Sequence, residues 1–245
     1  MTVWKPTVPA NRLLASLSSR SRREFLASCE PVELDFAAVL CNSGERIRHV
    51  YFPTGGFISL VTVLDATAKL EVGIIGDEGM LGVSLALGMD ISPQYAIVQG
   101  AGGALRMSTT VFNRQLQRSA PLRHDLGRYV YVLMNQLAQT AACTHYHLLE
   151  ARLARWLLMS RDRAHSDEFR LTHQFLAYML GVRRAGVTTA ASALQARGLI
   201  SYSRGFVVIH DGRGLERASC RCYRQGNDMY ELALGKQRRT PAHAE

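Results

Sequence analysis

The stretch LTHQFLAYMLGVRRAGVTTAASALQARGLISYSRGFVVI, residues 171–209, decides the fold. Thr172 can cap a helix over Gln174 to Leu180, with Leu176, Met179 and Leu180 on its buried side. Gly181-Val182-Arg183 then reads as a tight turn, with glycine where a helix ends. A second helix is predicted from Arg184 to about Ala196, closed by Gly198. Val187, Ala190, Ala191 and Leu194 share one face of it. Arg184, Thr188 and Ser192, spaced by four, share the other, with Ala185 and Thr189 beside them. Two short helices around a glycine turn, with small residues where they cross, make a helix-turn-helix. Leu199 to Tyr202 and Phe206 to Ile209 flank Ser203-Arg204-Gly205 and read as a hairpin behind the helix pair, a wing.

This pattern carries a chemistry. A recognition helix puts its first turn into the major groove of DNA. Arg183 and Arg184 stand at that turn, where a guanidinium can fork onto guanine or clamp a phosphate. Thr188 and Thr189 are short enough for close approach. Thr172, Gln174, Ser192 and the wing-tip Arg204 complete the candidate contacts. From Glu150 to Arg217, eleven arginines stand against six acids. The whole chain of 245 residues carries a formal charge of +9. Such an excess suits a polyanion, nucleic acid first and an acidic membrane surface second.

Upstream, Ser119-Ala120-Pro121 reads as a helix start. Leu126, Val130, Leu133, Leu137, Ala141 and Thr144 follow as a near-heptad stripe. The stripe must pack either on its own subunit or on a second copy as a dimer seam. Thr109 or Thr110 can cap a short helix through Leu116. Between residues 30 and 107 the texture is β-rich. Val32–Phe36, Val50–Pro53, Phe57–Val63, Leu70–Ile75, Tyr95–Gln99 and Ala104–Met107 are predicted strands between glycine turns, as in a β-sandwich or β-roll. Residues 11–28 read as one amphipathic helix, and the last 20 residues as a frayed tail.

In this order the elements resemble the Crp/Fnr superfamily of bacterial regulators. The likeness is strongest in Leu171 to Gln174, Leu180 to Arg184 and Leu194 to Ile200, and Val50 to Pro53 with Gly56 resembles the family's β-roll. It implies an α+β fold with a cyclic-nucleotide-binding-like β-roll over 1–118, a dimerisation helix over 119–146, a winged helix-turn-helix over 147–225 and a flexible tail over 226–245. It implies a homodimer joined through Leu126, Val130, Leu133, Leu137 and Ala141, bound to a palindromic DNA operator, with RNA polymerase as a further partner. Arg184 corresponds to the family's lead arginine of the recognition helix. The archetype's following glutamate and second arginine are replaced here by Ala185 and Thr189, so its half-site is not expected.

Cyclic-nucleotide members hold their ligand through a Gly-Glu pair and a phosphate-binding arginine. Gly76-Asp77-Glu78-Gly79 stands in the place of the first, as an effector pocket or as a turn capped by Glu78. From Leu70 to Leu105 there is no Arg, Lys or His. A buried phosphate without a cation is costly, so archetypal cyclic AMP binding is not expected and any small-molecule effector is unknown.

The five cysteines, 29, 41, 143, 220 and 222, show no C-x-x-C spacing. On a helix Cys143 and His147 share a face and His145 points away; a Cys220–Cys222 disulfide is strained by its spacing. No metal and no cofactor is expected. No metalloprotease, nucleophile-elbow or Walker motif is found, and Gly100 to Gly103 reads as a β-turn, so the chain is not expected to be an enzyme. With neither a signal core nor an apolar run of spanning length, a reduced cytoplasmic protein is expected, with no membrane partner. The rival reading is a ligand-sensing protein, for a cyclic nucleotide, redox state or metal, whose winged helix contacts protein.

Overall fold

Seven antiparallel strands form between residues 30 and 108, in a computed structural model that describes residues 11–65, 69–203 and 205–235. They are β1 (Glu30–Leu34), β2 (Val39–Cys41), β3 (His49–Pro53), β4 (Phe57–Val63), β5 (Lys69–Ile75), β6 (Tyr95–Gly100) and β7 (Gly102–Ser108). One sheet has the order β1-β7-β3, the other β2-β6-β4-β5. Leu34, Ile58, Ile75, Ala96 and Val98 pack together as the core of the roll. Five of the six predicted runs match closely, and the first shifts two residues upstream. β2 was not predicted: it is three residues long and meets β6 across a register shift. Gly56 has a φ of +71°, and a Cβ there would collide with the backbone at Gly100 and Ala101. The Gly100–Gly103 segment therefore serves the tight β6–β7 connection.

The N-terminal segment is two helices instead of one, α1 (Arg12–Ala15) and α2 (Ser19–Leu26). Ser18 interrupts them, and its hydroxyl accepts from the Ser21 amide to cap the second. Leu13, Leu14, Leu17 and Phe25 are buried, as their spacing predicts. In α3 (Thr109–Arg118) the cap position falls on Ser108, and neither threonine caps. The Thr109 hydroxyl instead donates to the Ile47 carbonyl at 2.6 Å.

The long helix is α4 (Ala120–Tyr146), opened by Ser119, whose hydroxyl accepts from the Leu122 amide at 3.2 Å. Then come α5 (Leu149–Ala164), β8 (Glu168–Arg170), α6 (His173–Leu180), α7 (Arg184–Ala196), β9 (Ile200–Ser203), β10 (Phe206–Ile209), α8 (Gly212–Ala218) and α9 (Cys222–Leu234). The wing has three strands in the order β8-β10-β9.

Two expectations are corrected. The tail predicted over 226–245 is helical as far as Leu234, within α9, which lies along α4 and buries Tyr230 and Ala233. Residues 236–245 lie outside the described residues. Second, Leu126 cannot serve a dimer seam. It is fully buried in its own subunit with Leu122, Tyr129 and Val132, because that face of α4 covers the β-roll core and α9. Leu133 packs on the same cluster. The face left open carries Tyr131, Met134, Leu137, Ala138 and Ala141.

The helical domain is docked on the roll. Phe57, Val61 and Ile74 of the roll share one core with Trp156, Leu157, Leu176 and Leu180. Polar links cross the joint: the Trp156 indole N–H donates to the buried Glu71 at 2.7 Å, and Ser59 donates to the same carboxyl.

Candidate nucleic-acid interface

The helix-turn-helix is built locally. Thr172 Oγ1 accepts from the Phe175 amide at 3.1 Å and starts α6. Gly181 ends it with φ +63°, in the left-handed region that glycine reaches without strain. The Arg152 guanidinium donates to the Leu180 carbonyl and ties α6 to α5. In α7, Val187, Ala190, Ala191 and Leu194 are buried, the four residues predicted.

The opposite face is open. Arg183, Arg184, Thr188, Thr189 and Ser192 are all exposed, as are Thr172 and Gln174 at the start of α6. Among the described residues no carboxylate pairs with Arg183 or Arg184. Four other arginines of this region are spent internally, in Arg161–Asp167, Arg163–Glu78, Arg197–Glu150 and Arg217–Asp211 pairs. The arginines of this region outside ion pairs thus include both at the first turn of α7. Arg204 lies outside the described residues.

The threonine hydroxyls are already engaged: Thr188 donates to the Arg184 carbonyl and Thr189 to the Ala185 carbonyl. That leaves their methyls and oxygen lone pairs for a ligand. Sequence reasoning missed His173 and Tyr202. The His173 ring stacks on Tyr202 with centroids 4.0 Å apart, and its Nδ1 lies 3.0 Å from Thr188 Oγ1. The Tyr202 hydroxyl accepts from the His173 amide at 3.1 Å. One imidazole therefore joins α6, α7 and the wing. Partial burial and the Arg184 charge both lower its pKa, which favours the neutral imidazole. A histidine at the first position of α6 was the available signal.

The Gly76–Gly79 loop, read as an effector pocket or as a turn capped by Glu78, is filled by side chains of the same subunit. Glu78 Oε1 receives Arg163 Nε at 2.8 Å and the terminal NH2 nitrogen at 2.7 Å, both side chains being buried. Asp77 faces Arg12 and His165. A Cβ on Gly76 would lie 2.5 Å from Arg163 Cγ, and one on Gly79 would strike the Tyr129 hydroxyl. The cation missing from residues 70–105 comes from α5 instead, and it pairs with Glu78. The turn-capping alternative holds in part, since Glu78 Oε1 also accepts from the Gly76 amide at 3.3 Å. The cavity between β5, α4 and α5 measures ≈ 40 Å³. A drug-sized ligand needs roughly 300 Å³ or more.

Residues 151–218 match the family model of the Crp-like helix-turn-helix domain. No curated protein sequence matches the chain closely enough to count as a relative. Solved structures do share the fold. FixK2 from Bradyrhizobium japonicum superposes with a TM-score of 0.66 at 12% identity, covering 78% of this chain and 98% of that one. The c-di-GMP responsive global regulator CLP of Xanthomonas campestris gives 0.63 at 18%, covering 79% and 100%. A Crp-family transcriptional regulator from Thermus thermophilus gives 0.64 at 18%, covering 77% and 96%.

Fold and site together define a protein with a helix-turn-helix DNA-binding domain of the Crp-like class. The chain as a whole, β-roll, long helix and winged domain, shares its fold with these solved structures.

Proposed function

We propose that this chain is a dimeric, sequence-specific transcriptional regulator that lays α7 in the major groove of a two-fold symmetric operator. One observation carries the reading. The recognition helix buries its apolar face completely and presents Arg183, Arg184, Thr188, Thr189 and Ser192 together to solvent. Arg184 reads a base edge, Arg183 clamps a phosphate, and the threonines permit close approach. Contact with RNA polymerase and a cytoplasmic location belong to the same reading.

The Arg184→Ala variant is expected to lose 1–3 kcal/mol, roughly 5- to 150-fold, at one base position of a selected operator. Wild-type affinity should fall steeply with salt, because phosphate contacts release counterions. Fluorescence anisotropy on operators recovered by selection checks both. An Arg184→Ala protein with unchanged affinity and base preference removes that residue from the reading set. Binding without salt dependence favours a winged helix that contacts protein.

The dimer in this proposal uses the open face of α4. Tyr131 is 54% exposed and Met134 63%, and with Ala138 and Ala141 they recur at heptad spacing. Such a stripe on a 27-residue helix fits a second copy of itself. Two copies related by a two-fold axis would present their α7 helices one DNA turn apart, about 34 Å. Met134→Asp is expected to yield a folded monomer with greatly weakened operator binding, since the residue supports little of its own subunit's core. Sedimentation and anisotropy on one sample decide it, and a monomer with full affinity ends the dimer proposal.

An effector, where one acts, does not bind as cyclic AMP does in the archetype. The supporting facts are the Glu78–Arg163 pair and the small cavity beneath α4.

A further inference from the structure

Linear spacing argues against a metal site, yet four ligand-bearing side chains meet where α4 ends. Cys143 lies in the last turn of α4 and His147 caps it. Cys220 and Cys222 flank the start of α9. One ligand atom from each lies within 4.8 Å of all the others. Cys143 Sγ is 3.5 Å from Cys220 Sγ, and Cys222 Sγ is 3.5 Å from His147 Nδ1. Bonds of about 2.3 Å to sulfur and 2.0 Å to nitrogen give tetrahedron edges of about 3.8 and 3.5 Å. The four atoms are therefore already close to the spacing of a tetrahedral site.

We infer that Cys143, His147, Cys220 and Cys222 form a closed Cys3His zinc site that clamps the α4–α5 joint to the α8–α9 corner. The donor set is soft and oxygen-free, which selects zinc over magnesium, calcium or manganese. All three thiols are free and buried, so they belong to a sheltered, closed site and not to an exposed reactive one. Zinc with three thiolates and a neutral imidazole carries a net charge of −1. Arg155, whose charge acts on Cys143, would supply the counter-charge. It is buried, and its Nε has no hydrogen-bond partner among the described residues. Gln139 Nε2 donates to Cys222 Sγ at 2.8 Å, the kind of outer contact that orients a thiolate ligand. Only His147 and Leu148 separate α4 from α5, so the site sits on the direct connection between the long helix and the DNA-binding domain.

Binding is a ligand exchange without redox change: three thiol protons are released and three Zn–S bonds and one Zn–N bond form. The test uses full-length protein purified with zinc and without chelator. Elemental analysis is expected to find one zinc per chain, with three cysteines shielded from thiol reagents until a strong chelator is added. Metal-free protein titrated with Co2+ should show the absorption of a tetrahedral thiolate site, a readout that needs no variant. Half-buried His147 tolerates substitution, and His147→Ala should weaken zinc at least about tenfold, the loss that even an outer-shell partner causes. Cys220→Ser with Cys222→Ser should abolish binding. Metal-free protein that gains no Co2+ spectrum overturns the site. So do iron in place of zinc, a Cys143–Cys220 disulfide, or zinc retained by both variants. None of these readouts involves DNA, so the site stands or falls apart from the regulatory function.

Discussion

Arg163→Ala is expected to destabilise the protein by about 3–5 kcal/mol, because it strands a buried carboxylate. Glu78 is almost wholly enclosed, with a side-chain exposure of 4%, and its Oε1 is the acceptor for both Arg163 nitrogens. Removing the guanidinium leaves the charge facing Asp77 and the Tyr129 ring region with only the Gly76 amide to satisfy it. The pair as a whole need not stabilise; breaking it does the harm. The double variant Glu78→Gln, Arg163→Met should therefore recover most of the loss. Chemical denaturation of the three proteins checks the sign of the coupling. A single variant within about 0.5 kcal/mol of wild type, the scatter of ordinary surface changes, refutes the account. Because Arg163 belongs to α5 and Glu78 to the roll, the single variant should also free the DNA-binding domain from its dock.

The second large effect concerns pH. Burial pushes the Glu71 carboxyl up to about 7, against the opposing influence of hydrogen bonds from Ser59 and Trp156 and the charges of Arg163 and Arg155. The unfolded value is about 4.3. A folded pKa above the unfolded one means that the stabilising contribution is complete at low pH. It drains away as pH rises through 7. Between about pH 5 and pH 8 this one group withdraws about 2–3 kcal/mol. Glu71→Gln keeps the shape without the charge, its amide oxygen accepting from Trp156 and its amide N–H donating to the Ser59 hydroxyl oxygen in a reversed bond. The stability of this variant minus that of wild type should be small below pH 4 and should rise by about 2–3 kcal/mol between pH 5 and pH 8. A difference that does not change with pH shows that Glu71 titrates normally. Since Glu71 bridges β5 and α5, the joint between roll and DNA-binding domain is expected to loosen in the same window.

Much of the candidate interface was legible because it is local. Val187, Ala190, Ala191 and Leu194 announce a buried face by their spacing alone, and that face leaves Arg184, Thr188 and Ser192 outside whatever lies beneath. Capping by Thr172 and Ser119 and the left-handed Gly181 are likewise decided within three or four residues. The α4 stripe was legible as a stripe, but its residues divide between the subunit's own core, as at Leu126, and an exposed face, as at Leu137. Leu126 and Met134 are both apolar, and periodicity does not say which face meets the subunit's own core. His173 escaped notice because its role depends on Tyr202, 29 residues away.

By itself, then, the order of amino acids determined the β-roll, the long helix, the helix-turn-helix and the outward face of α7. Those follow from turn chemistry and from contacts between near neighbours in the chain. Only the tertiary structure decided that Glu78 meets Arg163, 85 residues on, and that Cys143 meets Cys220, 77 residues on. The first made a loop that could have been a pocket or a capped turn into an inter-domain joint, and the second assembled a four-ligand cluster from residues with no recognisable linear motif. The physical reason is common to both. A charge or a thiol carries no periodicity, so its partner is chosen by how whole elements dock and not by the residues beside it.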